Sequence, residues 1–192
     1  MTITESSITL PSLIRKSFVL IRHGETPLNA AGLIGGITDV PLTERGRVQA
    51  LAQAESLVPY QFDAVLVSPL RRAQETARLL FPKRPMRIVA GLAERNWGVL
   101  EERPQSMQPP YEETPEGGEV WIDFCTRVIE ALNTILAQYE SPVIVAHSGV
   151  FRVIWQLAKG SPYGDRVGNV APYWICAGSK KQGWVIRPLA EL

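Results

Sequence analysis

The sequence predicts a three-layer α/β/α sandwich with a mostly parallel central sheet, on three observations. Short β-branched runs of nearly unbroken apolar residues recur along the chain, as strands covered on both faces require. Segments of helical periodicity separate them. The third observation is size, since 192 residues with 45% hydrophobic and 20% charged side chains suit one domain with a single substantial core.

Residues 1–17, "MTITESSITLPSLIRKS", read as an N-terminal extension that can stay disordered, and Glu5 with the lack of an unbroken apolar run argues against a secretory signal. The domain then runs over 18–192. "FVLIR" (18–22) is its first strand, and Thr26-Pro27 is a cap and first-turn pair. Thr43 caps a helix reaching about Leu57. "AVLV" (64–67) is the second strand, and Ser68-Pro69 repeats the cap-and-proline signal for a helix to about Leu80. "MRIV" (86–89) is the third.

The stretch 91–117 breaks this rhythm. Pro104, Pro109, Pro110, Pro115, Gly117 and Gly118 punctuate it, and Glu101, Glu102, Glu112, Glu113 and Glu116 make it acidic. A loop of that length in a compact domain is a lid or a disordered insertion, here at about 99–118. A helix fits 118–139, with Val120, Phe124, Val128, Ala131 and Ile135 on one face. After the strand "VIVA" (143–146), a helix over 149–158 carries the stripe Val150, Val153, Ile154 and Leu157 and stops at Gly160. "APYWICA" (171–177) and "GWVIRPL" (183–189) flank the turn-like "GSKKQ" and predict a closing hairpin. Its outer strand offers an edge to a second copy, so a homodimer is allowed.

Twenty basic and nineteen acidic side chains leave a net charge of +1, which argues against nucleic acid or an anionic membrane as partner. No run of about twenty apolar residues is present to span a bilayer. Cys125 and Cys176 lie far apart and outside paired-thiol spacing, as expected for reduced residues of a cytoplasmic protein.

Only two histidines occur, His23 in "IRHGE" and His147 in "VIVAHSG". A single buried histidine held by one hydrogen bond is ordinary. Two of them, each at the end of an apolar strand and just before a helix start, are not. Ligands of parallel sheets bind beyond the carboxyl ends of the strands, and helix N-termini there favour anions. Arg22 adjoins His23, and "SPLRRAQETA" (68–77) brings Arg71 and Arg72 to the same edge, where guanidinium forks fit phosphate oxygens. A phosphoryl group, with its two charges and several acceptor oxygens, suits this set better than a carboxylate.

Neighbouring arginines disfavour the charged form of His23 and keep its lone pair available for attack. The second histidine can then donate to the phosphoryl oxygens. A leaving alkoxide needs a proton, and a glutamic acid is the natural source. Glu94, in "GLAERNWG" (91–98), stands at the right sheet edge, but position alone does not separate it from Glu101 or Glu102.

These segments resemble the histidine phosphatase superfamily, also called phosphoglycerate mutase-like. "RHGETPLNAAGLIGGITDVPLTERGRVQA" (22–50) resembles its opening signature, "SPLRRAQETA" its second arginine motif, and "VIVAHSGVFR" its closing histidine motif; "GLAERNWG" and "PEGGEVWIDFCTRV" (115–128) match more weakly. The resemblance spans roughly residues 18–177. It implies a phosphorylated nucleophile at His23, a phosphate pocket of Arg22, Arg72 and His147, a phosphate contact from Asn29 and a proton donor at Glu94. It also favours Arg72 over Arg71, because the family's arginine directly precedes the alanine of that motif.

Three positions depart from the family pattern. Ser148 stands where a glycine usually follows the second histidine, so its hydroxyl or backbone N–H is expected to face the phosphate. Leu28 replaces a tryptophan or similar residue before the asparagine, and Glu102 stands where glycine is common. Mutases of the family carry a long basic insertion after the glutamate motif, whereas residues 99–118 are short and acidic, with Arg103 as their one cation. The expectation is therefore a metal-independent phosphomonoester hydrolase, acting without cofactor on a small phosphorylated metabolite through a phosphohistidine. The alternatives are a cofactor-dependent phosphoglycerate mutase and a non-catalytic phosphate-binding module, the latter disfavoured because all five catalytic positions are filled. Two histidines and two scattered cysteines suit no metal site, and "GLIGG" (32–36) lacks the spacing and lysine of a nucleotide loop. Trp97 and Tyr111 are candidates to line the lid or to pack in the core.

Overall fold

All five residues of the first apolar run, Phe18–Arg22, are buried as strand β1, because β1 has a strand on each side and helices on both faces. The computed structural model describes residues 9–178 and 183–191. The other strands are β2 (Ala64–Val67), β3 (Met86–Ile88), β4 (Pro142–Ala146), β5 (Pro172–Ala177) and β6 (Trp184–Pro188). They form one sheet in the order β3-β2-β4-β1-β5-β6, parallel from β3 to β1 and antiparallel across β5 and β6. The helices are α1 (Pro27–Ala30), α2 (Glu44–Leu57), α3 (Arg71–Leu80), α4 (Trp121–Gln138) and α5 (Ser148–Lys159).

Strand alternation sorts the core into two layers. Val19, Ile21, Val65, Val67, Val143 and Val145 pack with Ala50 and Leu57 of α2 and Ala73, Ala77 and Leu80 of α3. Phe18, Leu20, Leu66, Ile144 and Ala146 pack instead with α4 and α5. This is the predicted three-layer sandwich.

Four expectations need revision. β3 is not covered on both faces: it lies on the sheet margin with β2 as its neighbour, and Ile88 is 56% exposed. Val120 is not on the buried stripe of α4 but is its exposed N-cap, and Trp121 takes the first buried position. Ser68 does not cap α3, whose N-cap is Leu70. The Ser68 N–H extends the sheet to Val145 O, and its hydroxyl is engaged elsewhere. Finally, residues 9–17 of the N-terminal extension are docked on α4: Leu13 is buried, the Ile14 N–H donates to Asn133 Oδ1, and Asn133 Nδ2 donates to Ser12 O. Residues 1–8 lie outside the described residues, as do 179–182 of the predicted turn between β5 and β6.

The acidic stretch 99–118 is an ordered strap with single helical turns at Gly98–Leu100 and Gln105–Met107. It is stitched to the loop after α1, with Ile34 N donating to Arg103 O and Glu102 N to Ile34 O, both at 2.8 Å. Arg95 holds its far half. This guanidinium is 0% exposed, lies over the rings of Trp97 and Trp121, and donates to the carbonyls of Tyr111, Glu113 and Glu119.

Candidate active site

His23 and His147 leave the adjacent parallel strands β1 and β4 at their carboxyl ends, so sheet register alone brings them together. Arg22 pairs with Ala146, and the His23 N–H donates to Ala146 O. The two ring centroids are 5.2 Å apart. His23 Nδ1 lies 2.7 Å from Gly24 O, which can only accept, so Nδ1 carries the proton and Nε2 keeps its lone pair. His147 Nε2 lies 2.5 Å from Ser68 Oγ. The Ser68 oxygen accepts from the Leu70 N–H and keeps its own proton to give to Nε2, and in that arrangement the proton of His147 resides on Nδ1. The backbone before α1 is fully engaged: Gly24 N donates to Thr76 Oγ1 and Thr26 N to Asn29 Oδ1. A side chain at Gly24 would meet Gly46 O at 2.7 Å, so glycine is required for this close approach.

Arg22 and Arg72 are both buried beside the histidines. Arg72 donates to Gly36 O and Thr38 O at 2.6 and 2.8 Å, whereas Arg71 is exposed and paired with Glu75. The spacing that left these two arginines unresolved is thus resolved by helix phase. Arg22 donates to Val167 O, but its Nε, like His147 Nδ1, is a buried nitrogen with no hydrogen-bond partner among the described residues. Asn29 accepts through Oδ1 from Thr26 N and Asn169 Nδ2, which leaves its amide N–H groups for a ligand. Arg22, His23, Asn29, Arg72, Glu94 and Ser148 share an inner pocket of about 70 Å³.

Glu94 is buried on this wall, and its oxygens accept from Arg95 N at 2.8 Å and Gly149 N at 2.9 Å. Glu101 instead binds the 37–38 loop, and Glu102 is exposed. Ser148 lines the pocket as expected, although its hydroxyl donates to Glu94 Oε2 at 3.4 Å. The first turn of α5 therefore spends its Gly149 N–H on Glu94 rather than leaving it for an anion. A Cβ at Gly149 would collide with the Glu94 carboxylate. Gly149→Ala is accordingly expected to displace that carboxylate and slow hydrolysis of alkyl phosphates about 10²-fold, since displacements near 1 Å cost that much. Steady-state kinetics check this, and an unchanged kcat would show that the orientation of Glu94 does not limit turnover.

Burial drives the pKa of both imidazoles well below 6.5; Arg72 and Arg22 add to this at His23, and Arg72, His23 and Arg22 at His147. Both rings are uncharged at neutral pH. Burial likewise lowers Arg22 to about 10, against the opposing pull of Glu94 and with the help of Arg166. Because the unfolded chain takes up histidine protons that the folded chain refuses, stability falls as pH drops through about 6.5. The slope reaches up to about 1.4 kcal/mol per pH unit for each histidine. Urea midpoints are expected to fall between pH 7 and pH 5, less steeply in His23→Ala; a flat profile would contradict the neutral, buried state.

Several site residues carried no signal that sequence reasoning used. Ser68 looks in sequence like a helix cap, yet its hydroxyl faces His147. Val167 and Asn169 belong to the loop after α5, where Asn169 Nδ2 donates to His23 O at 2.8 Å and Val170 N donates to Arg22 O. The glycines, proline and asparagine of 160–169 mark a loop but not its destination. Arg127 sits in a helical pattern that gives no sign of its role, yet it donates to Gly91, Ala93 and Glu94 carbonyls and pairs with Glu119 at 2.8 Å, which fixes the segment that carries Glu94.

A parallel sheet ending in uncharged imidazoles and buried guanidinium groups defines a protein of the phosphoryl-handling class. The chain belongs to the histidine phosphatase superfamily (branch 1), whose family model matches residues 18–175. It is 35% identical over 160 residues to the adenosylcobalamin/alpha-ribazole phosphatase of Escherichia coli strain K12, covering 74% of this chain and 79% of that protein. It is 37% identical over 158 residues to a metal-independent phosphoserine phosphatase of Arabidopsis thaliana, covering 71% and 66% respectively. The crystal structure of the alpha-ribazole phosphatase from Shigella flexneri superposes with a TM-score of 0.75 at 32% identity, covering 90% of this chain and 95% of that one. Other relatives are bisphosphoglycerate-dependent phosphoglycerate mutases, at 31% identity.

Proposed function

We propose that this chain is a metal-independent phosphomonoester hydrolase that acts on a small phosphorylated metabolite through a phosphohistidine on His23. The observation that carries this reading is the state of His23: uncharged, buried, its Nδ1 proton held by Gly24 O, and lining a pocket with two arginines and a carboxyl group. Nε2 attacks phosphorus while Glu94 gives its proton to the departing ester oxygen, so a P–N bond forms as the P–O bond breaks. Arg22, Arg72, Asn29 and the Nδ1–H of His147 stabilise the phosphoryl oxygens. Glu94, now a carboxylate, takes a proton from water as the water oxygen attacks phosphorus, which frees phosphate and restores His23.

The lining of the strap favours hydrolysis over mutase chemistry. It presents Gln105, Gln108 and Tyr111 to the inner pocket, and Arg103 is exposed elsewhere, so no cation of the strap grips a second phosphate there. The nucleophile, the charge and the proton all come from side chains, which supports independence of metal ions. Cys125 and Cys176 are free thiols, which suits a reducing compartment such as the cytoplasm. The test is release of phosphate from p-nitrophenyl phosphate and simple alkyl monoesters with chelator present and no bisphosphate added. Activity that appears only with a bisphosphate primer would establish the mutase reading, for which the mutase relatives speak; strict metal dependence would reject both.

A further inference from the structure

Beyond the inner pocket lies a chamber of about 600 Å³, large enough for a leaving group of sugar size or more. The two share Arg22, Gln105, Gln108, Tyr111 and Ser148, so an ester oxygen leaving His23 and Glu94 has this chamber before it. Its charge is the opposite of what the acidic strap suggests. The strap contributes Gln105, Gln108, Pro109, Pro110 and Tyr111, all uncharged at neutral pH, while its glutamates are absent from the wall. Glu101 holds the 37–38 loop and Glu112 accepts from the Tyr163 hydroxyl.

The charged groups come from α5 and the loop after it: Arg152, Asp165 and Arg166. Arg152 spends its Nη1 on the carbonyls of Pro162 and Gly164, and neither it nor Arg166 forms an ion pair among the described residues. Set Arg22 aside for the phosphoryl group, and two guanidinium groups face one carboxylate. The chamber therefore holds one unmatched positive charge.

We infer that Arg166, supported by Arg152, reads a carboxylate on the leaving group, so that the preferred substrates are phosphate monoesters of hydroxy acids rather than of neutral alcohols. This rests on the phosphatase reading and narrows it to a substrate class. A neutral leaving group would leave both guanidinium groups without an ion-pair partner in the chamber, whereas a carboxylate accepts charge-assisted hydrogen bonds from Arg166 and from the nitrogens of Arg152 that its carbonyl contacts leave over.

The test compares two three-carbon esters, 3-phosphoglycerate and glycerol 3-phosphate, which differ at C1 by a carboxylate against a hydroxymethyl group. The expected kcat/KM ratio favours the carboxylate by at least about tenfold, the scale of one charge-assisted hydrogen bond. Arg166→Gln is expected to bring that ratio below about threefold through KM, and Arg166→Lys to restore part of it. Raising ionic strength should erode the preference in the unaltered protein, which needs no variant to fold. Equal kcat/KM for the two esters, or a ratio untouched by Arg166→Gln, overturns the inference while leaving the phosphatase reading in place. Failure to hydrolyse either ester or p-nitrophenyl phosphate overturns both.

Discussion

His23→Ala is expected to lower phosphate release by at least about 10³-fold, the scale of losing a covalent nucleophile, while the protein remains folded. The imidazole bonds to Gly24 O and shares a wall with Arg72 and Glu94, but no strand or helix hydrogen bond depends on it. Its removal also takes away a buried group that resists protonation, which offsets part of the lost packing. Rapid quench into alkali should trap a phosphoprotein in the unaltered chain that is lost on acidification, the behaviour of a phosphorylated imidazole. The variant should show none. Turnover retained within tenfold in a folded His23→Ala protein would end the covalent mechanism.

Glu94→Gln should slow alkyl phosphates by about 10²–10⁴-fold, the range for removing a general acid. The amide is nearly isosteric, but its oxygen can accept from only one of Gly149 N and Arg95 N while its NH2 faces the other, so the loss combines proton donation with some orientation. The discriminating measurement is the comparison with p-nitrophenyl phosphate, whose leaving phenolate is stable without a proton. Hydrolysis of that ester should fall far less. If both substrate types slowed alike, Glu94 would be holding the site together rather than protonating the leaving oxygen.

What the sequence revealed and what it hid divide along a physical line. β1, β2 and β4 were legible because a doubly covered strand must be apolar at every position, and the run "FVLIR" or "VIVA" has no competing reading. Placing two histidines after two such strands was enough to bring them to one edge. β3 shows where that rule misleads, because "MRIV" is apolar enough to look doubly covered although it lies on the margin. Ser68 was misread because a serine before proline looks identical whether its hydroxyl caps a helix or orients an imidazole. The separation of Arg72 from Arg71, and of Glu94 from Glu101, came from family resemblance at the sequence level. In the structure it comes from which face of α3 is buried and from the amide of Gly149. The loop at 161–170 was invisible as part of the site because its contacts to Arg22 and His23 run through main-chain oxygens or a lone asparagine.

The cage around Arg95 has a consequence for how such a protein changes over time. Its three acceptors, in the strap and just before α4, are peptide oxygens, which every amino acid possesses. Residues such as Gln105 and Gln108 can thus be exchanged without loosening the anchor that sets the strap's course. Preference for one ester or another is free to drift under selection while the machinery that cleaves the bond stays where it is.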